Sequence, residues 1–454
     1  LDKYARDYRT GIYCMAWAFY DDAPQIWLPG QPPVPEIVAH IQQGGIIVAW
    51  NAAFERLMWT HQMGKHGWPI PRLEQYQCSA VRARAHGLPG GLDDAARCLG
   101  LPQAKHADGQ RLIKQYSANG TAWQCIDAAD QQLWIDYCLQ DVVLERAVAS
   151  CLRELTDFEW AEYHCNERIN DRGVPVDVEM AEAAISYGDE VRQDVDARIA
   201  KLTGGAVANA RARKARDEWL RSLLDDAALE LLASPKTPGA LTFDQDAREA
   251  LLAFGVPPVV QAFIELVDEA GGATLGKYTA IVNRQHEGAI RGTIVFNGAG
   301  QTGRFSSTAV QWQNLRRDGL DNVEEEIQYL KDGFELPNVT DTLARMVRAV
   351  VTHPEGLSWC DWSSIEGRVA PWLANSPAGE AKLQLYRDGV DPYVVNAAGL
   401  YHIGMDDVTK DQRQRGKVME LALGFLGGAG ALQSMGRGYG LILGDDEAER
   451  LRDV

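Results

Sequence analysis

Asp361-Trp-Ser-Ser364-Ile365-Glu366-Gly-Arg368 directly follows the apolar run Leu357–Cys360, and further on comes Arg413-x-x-x-Lys417-x-x-x-Leu421-x-x-x-Phe425. The first segment reads as a strand over Leu357–Trp362 that delivers a carboxylate where a helix is about to start. Alone, an Asp in that place need do no more than cap the helix. The second reads as a helix over Lys410–Leu426 whose four spaced residues share one face. An Arg-x-x-x-Lys stripe is ordinarily a solvated face. This one continues into apolar residues and then Gly427-Gly428, which is unlike a surface helix.

Working back toward the N-terminus, Thr302-Gly303-Arg304-Phe305-Ser306-Ser307 is followed by Gln311-Trp-Gln313-Asn314-Leu315. Gly, Ser and amide side chains let a backbone approach a ligand and offer it donors. Arg304 could reach a DNA minor groove, whose acceptors are nearly the same for every base pair. The plain alternative is a polar loop. Ile290–Phe296 alternates like a strand. Helical patterns cover Asp177–Leu202, stopped by Gly204-Gly205, then Arg211–Leu224, Asp244–Phe254 and Val259–Glu269, with Asp226–Thr242 reading as a loop-rich connector because of Pro235 and Pro238.

The first 150 residues mix strands (Ile12–Phe19, Ile46–Trp50) with helices (Phe54–Lys65, Leu92–Leu99, Gln131–Leu155), the signature of an α/β region; Gly173-Val174-Pro175-Val176 marks a joint after it. Within it Asn51-Ala-Ala-Phe54-Glu55 opens a helix after a strand, and Tyr137-Cys-Leu-Gln-Asp141 places Tyr137 and Asp141 on one helix face.

Composition narrows the class. In 454 residues, 46% are hydrophobic and 24% charged, which excludes a disordered or collagen-like chain. No apolar run approaches the roughly 20 residues of a membrane helix, and no signal peptide is visible. The net charge of −18, from 63 acidic and 45 basic residues, argues against nucleic-acid binding by the whole surface but not by a local groove. Eight scattered cysteines without a C-x-x-C pair point to neither zinc nor a disulfide framework, and suit a reducing cytoplasm.

In their order, the Asp361 and Arg413–Phe425 segments resemble motifs A and B of family A DNA polymerases, the group that includes bacterial polymerase I. The Thr302–Asn314 segment has its counterpart there, and the wording of Gly416–Gly430 looks most like bacteriophage members. Asn51–Glu55 and Tyr137–Asp141 resemble the second and third motifs of a DEDD-type 3′–5′ exonuclease, which usually has Asp where this chain has Glu55. The resemblance spans nearly the whole chain. It implies an α/β plus α+β multidomain protein, with an RNase H-like exonuclease domain followed by a thumb, palm and fingers hand. The domains fall at 1–155 (exonuclease-like, first strand missing), 156–285 (a mostly helical thumb), 286–380 (the first part of the palm) and 381–454 (fingers with the motif B helix).

The implied function is template-directed addition of dNTPs to a primer 3′ end by two-metal phosphoryl transfer, with proofreading, in the cytoplasm of a bacterial host if the gene is a phage's. Asp361 would hold both polymerase metals as a buried carboxylate, and Glu366 would be the steric gate against a ribose 2′-hydroxyl. Arg413 and Lys417 would grip the triphosphate, with Leu421 and Phe425 lining the nucleotide site. Leu421 stands where the family has an aromatic ring, and Phe425 lacks the family's tyrosine hydroxyl. Arg304, Gln313, Asn314 and Lys277 would contact primer–template DNA. In the exonuclease, Glu55 and Asp141 would be metal ligands and Tyr137 would orient the attacking water. Mg²⁺ or Mn²⁺, two ions per site, is the implied cofactor; primer–template DNA and dNTPs are the implied partners, with no membrane and no processivity factor identified. The family's first exonuclease motif, an Asp-x-Glu pair on the first strand, is absent, and the chain ends before the position of the family's motif C (His-Asp-Glu). The sequence therefore reads as a fragment cut at both ends, inactive by itself. Two other readings are an exonuclease with an inactive polymerase-like body and a non-enzymatic DNA-binding remnant.

Overall fold

The computed structural model describes residues 1–454 apart from 103–107, 235, 236, 238, 271, 317, 425, 426 and 454, and the side chains of 272–274. The chain forms two compact units, Leu1–Gly356 and Leu357–Val454; the boundary falls inside residues 286–380.

Helices dominate the first unit. Its strands pair two by two: β1 (Met15–Trp17) with β2 (Gln25–Trp27) antiparallel, and β3 (Ile47–Ala49) with β4 (Tyr76–Cys78) parallel. Further on, β5 (Val174–Pro175) pairs with β6 (Ala289–Ile290) and β7 (Ile294–Ala299) with β8 (Arg304–Ser307), both antiparallel. The strands expected over Ile12–Phe19 and Ile46–Trp50 exist but shrink to three residues each, because only those residues find a ladder partner.

The Ala128–Ser150 helix is capped by Asp127, which accepts from the amides of Ala129 and Asp130. It ends earlier than its apolar pattern suggests. Thr156 and Glu159 form a reciprocal capping box that starts a new helix, Asp157–Arg172. Gly173 then takes φ 79°, and a Cβ there would stand 3.0 Å from the Ile290 carbonyl oxygen. Only glycine lets β5 meet β6 at this joint.

Asp177 caps the 25-residue helix Val178–Leu202, which ends as expected before Gly204 and Gly205, both at positive φ. It contributes to two apolar cores. One includes Met180, Tyr278, Ile281, Leu343 and Met346, and the other Ile199, Leu220, Leu251 and Phe263. The expected loop over Asp226–Thr242 begins instead with a helix, Asp226–Leu231, because Asp225 accepts from the Ala228 amide and caps it.

A buried cation ties the α/β region to the helix after it. Arg56, on the Ala53–His61 helix, is 7% exposed. It donates to Glu167 at 3.0 Å and to both oxygens of Asp171 at 2.8 Å, both on the Asp157–Arg172 helix. That helix also holds β7: Asn170 Oδ1 accepts from the Ile294 amide at 2.9 Å, and Asn170 Nδ2 donates to the Ile294 carbonyl at 2.8 Å.

The second unit is a helical cluster: Ile365–Ala374, Pro377–Arg387, Pro392–Tyr401, Lys410–Leu423, Ala429–Gly438 and Asp445–Asp453. Its core includes Val418, Met419, Leu432 and Leu451. The expected strand over Leu357–Trp362 is not formed. The segment is irregular, and Trp359 and Trp362 are 90% and 80% exposed. A strand needs a neighbour for its backbone groups, and no described residue pairs with these.

Arg56→Met should destabilise the first unit by roughly 3–5 kcal/mol, because Glu167 is left buried without its cation. Thermal and urea unfolding would measure this; a variant within experimental error of the parent would show that the clamp is not structural.

Candidate active sites

In the first unit β3 leads into Asn51, whose φ of 63° turns the chain into the Ala53–His61 helix. Asn tolerates that left-handed geometry better than most residues. The turn places Glu55 inward. Burial pushes its carboxyl up to about 8, and the charges of Glu145 and Asp141 push the same way. Its Oε2 is buried with no hydrogen-bond partner among the described residues. Across from it stands the Ala128–Ser150 helix. Tyr137 is raised well above an ordinary phenol by burial, then by the charge of Asp141 and a hydrogen bond to it. Gly109 makes room for that ring, since a Cβ would lie 2.7 Å from Tyr137 Cε2.

The structure adds a residue that the sequence reading missed. Glu145 lies one turn past Asp141, and its Oε1 accepts from Ser79 Oγ at 2.7 Å. Burial raises it, against the Ser79 and Trp50 hydrogen bonds, and Asp141 adds to the rise. Tyr137, Asp141 and Glu145 recur every four residues, a spacing legible in the sequence. Glu55, Asp141 and Tyr137 are thus brought together as expected, with Glu145 beside them. Carboxylates are the right donors for a hard dication. Even so, no group of three or more His, Cys, Asp or Glu among the described residues is arranged to hold a metal ion.

The β7–β8 hairpin carries the next group. Gly303, at φ 66°, closes its turn, with Thr302 and Gly303 amides on the Ala299 carbonyl at 3.0 and 2.8 Å. Arg304 begins β8 and is exposed. Gln313 Oε1 accepts from Ser307 Oγ at 2.6 Å, and Lys277 Nζ donates to the Asn314 carbonyl at 3.2 Å. Lys277, Gln313 and Asn314 therefore gather beside the hairpin that presents Arg304.

In the second unit Asp361 is exposed rather than buried, because its segment joins no sheet. Ser364, with φ 50° and ψ 48°, bends the chain into the Ile365–Ala374 helix, with exposed Glu366 in its first turn. Arg368 stacks 4.4 Å from the Tyr386 ring centroid. A Cβ on Gly367 would lie 3.4 Å from Glu420 Oε1, so the start of this helix abuts the Lys410–Leu423 helix. Glu420 itself accepts from Lys382 at 2.6 Å and Asn396 at 3.0 Å.

Arg413, Lys417 and Leu421 lie on the Lys410–Leu423 helix as expected, which stops at Gly424; Phe425 lies outside the described residues. Arg413 Nε donates to Asp391 Oδ2 at 2.7 Å, and the Lys417 ammonium stands 4.5 Å from the Tyr439 ring centroid. Sequence reasoning missed Asp391, Glu420 and Tyr439, since each acts across elements. Asp361 offers the right oxygen donor for a hard dication, but without an arranged ligand group around it among the described residues.

No family model matches the chain. It is 31% identical to the DNA polymerase of Bacillus phage SP02, over an alignment that covers 94% of the chain and 66% of that polymerase. It therefore spans just under two thirds of that relative's length. The fold is similar to that of the POL domain of Pol1 from M. smegmatis, solved in complex with DNA primer–template and dNTP. The TM-score is 0.57 at 18% identity, over 95% of this chain and 67% of that one. The mostly helical architecture is thus that of a polymerase domain. The chain is thus similar in sequence to a phage DNA polymerase and in fold to the polymerase domain of Pol1. No helix among the described residues is long and apolar enough to cross a membrane.

Glu55 binds its proton more tightly when folded (about 8) than at its ordinary value of 4.5. The folded state therefore holds the extra proton, and stability falls as pH rises through that window. In metal-free buffer, Glu55→Gln should flatten this fall and melt higher than the parent above about pH 8. Melting curves across the range test it; an unchanged slope would contradict the burial of Glu55.

Proposed function

We propose that this chain forms the body of a template-directed DNA polymerase that adds dNTPs to a primer 3′ end, with a 3′–5′ exonuclease-like region at its N-terminal end. The observation that carries the reading lies in the second unit. A helix carries two cations on one face, and the helix that begins just after Asp361 comes near it at Gly367, where an added Cβ would lie 3.4 Å from Glu420 Oε1. Arg413 and Lys417 bind the triphosphate and stabilise the charge that grows on the leaving pyrophosphate. Glu366 restricts the sugar, and Leu421 fills space beside the nucleotide without stacking. Arg304, Gln313, Asn314 and Lys277 contact the primer–template. Asp361 would be the carboxylate offered to Mg²⁺ or Mn²⁺, whose chemistry there would be to offset the charge of the phosphates.

The division into exonuclease-like, thumb, palm and fingers segments at 1–155, 156–285, 286–380 and 381–454 belongs to the same proposal. So does action in a bacterial host's cytoplasm. Proofreading is supported by the gathering of Glu55, Asp141 and Glu145 beside Tyr137. Glu55 and Asp141 would hold the metal there, and Tyr137 would orient the water.

A chimera in which the SP02 polymerase supplies the sequence beyond this chain's span tests both parts. Asp361→Ala should abolish primer extension while leaving primer–template binding intact, since the exposed side chain supports no packing. Asp141→Ala should stop trimming of a single-stranded 3′ end and spare extension. Normal extension by the Asp361 variant would overturn the polymerase assignment. Unchanged trimming by the Asp141 variant would overturn the exonuclease assignment.

A further inference from the structure

Arg413 is held on two sides. Its Nε donates to Asp391 Oδ2 at 2.7 Å, and its guanidinium carbon stands 5.3 Å from the centroid of the Tyr393 ring. These contacts occupy one edge and one face of a planar group. The Nη1–Nη2 edge, which forks onto carboxylates and phosphates, makes no hydrogen bond with any described residue. Asp391 is itself fixed. It caps the Pro392–Tyr401 helix, its Oδ1 accepting from the Tyr393 amide at 2.9 Å. One carboxylate thus starts one helix with Oδ1 and aims a cation of the next helix with Oδ2. The two helices pack closely, since a Cβ on Gly416 would collide with the Tyr393 carbonyl oxygen. One turn beyond Arg413, Lys417 rests over Tyr439 and has no carboxylate partner among the described residues.

We propose that Asp391 is a positioning residue for nucleotide binding, presetting the open fork of Arg413 on the same helix face as Lys417 so that a polyphosphate meets an ordered pair of cations. The inference rests on the reading of Arg413 and Lys417 as triphosphate contacts. An arginine side chain is rich in rotamers, and ordering it beforehand removes that cost from binding. Asp391 also brings a negative charge near the phosphates, which opposes binding. The two effects have opposite signs, so one substitution separates them.

Asp391→Asn keeps the helix cap, for which Asn and Asp are equivalent, and removes the charge. The probe is inorganic triphosphate, with dATP in parallel, titrated calorimetrically into residues 1–454. Positioning predicts that Asp391→Asn weakens triphosphate binding roughly tenfold, the loss of about one charge-assisted hydrogen bond, with the melting temperature unchanged. Arg413→Ala should weaken it at least as much, and the double variant should be no weaker than Arg413→Ala alone, because Asp391 acts only through Arg413. Tighter or unchanged binding by Asp391→Asn, with Arg413→Ala weakened, would overturn the positioning role and leave the triphosphate reading standing. Full binding by Arg413→Ala, or none by the parent chain, would overturn both.

Discussion

The buried guanidinium of Arg56 is the constraint on which the first unit depends. Glu55 and Arg56 are adjacent in sequence and both are drawn inward by one short helix, but the two charges are resolved differently. Arg56 receives two carboxylates from the Asp157–Arg172 helix, and so keeps its charge at tolerable cost. Glu55 receives no cation from the described residues and faces two further carboxylates, so it holds a proton instead. The Asp157–Arg172 helix carries the consequence onward. It grips Arg56 with Glu167 and Asp171, and Ile294 with Asn170. The carboxylate cluster and the hairpin bearing Arg304 are therefore set by one rigid element.

The second unit solves a related problem in a chain of net charge −18. On the proposed reading, cations that bind a triphosphate must not be neutralised by nearby carboxylates. Arg415, on another face of the Lys410–Leu423 helix, is consumed, by Asp411 and Glu447. Lys417 is held by an aromatic ring, which stabilises a cation without neutralising it. Arg413 is tied through Nε alone. Glu420, further along the same helix, faces inward and is neutralised by Lys382. One helix thus carries both neutralised charges and cations without full carboxylate pairing, sorted by the face on which each residue lies.

Much of this was legible in the sequence. The helix through Arg413, Lys417 and Leu421, the cap at Asp177 with its helix to Leu202, and the Tyr137–Asp141 face all follow from local spacing and capping. Two kinds of feature escaped it: those that depend on a distant neighbour, and local signals overlooked beside stronger ones. Leu357–Trp362 has a strand's composition, but composition does not supply a pairing strand. Asp226–Leu231 was hidden by the prolines just beyond it, although Asp225 is an ordinary cap. Glu145 continued a visible four-residue spacing. Asp391 could be read as a cap before Pro392, but its reach to Arg413 exists only once two helices pack against each other.

The central claim is that this fold copies a template. Single-nucleotide incorporation by the SP02 chimera measures that most directly, with one primer annealed to four templates that differ only at the first unpaired base. Each template is offered each dNTP separately with Mg²⁺. The account predicts one product per template, made from the complementary nucleotide. Addition that ignores the templating base, or no addition with any pair by a folded, DNA-binding chimera, would contradict it.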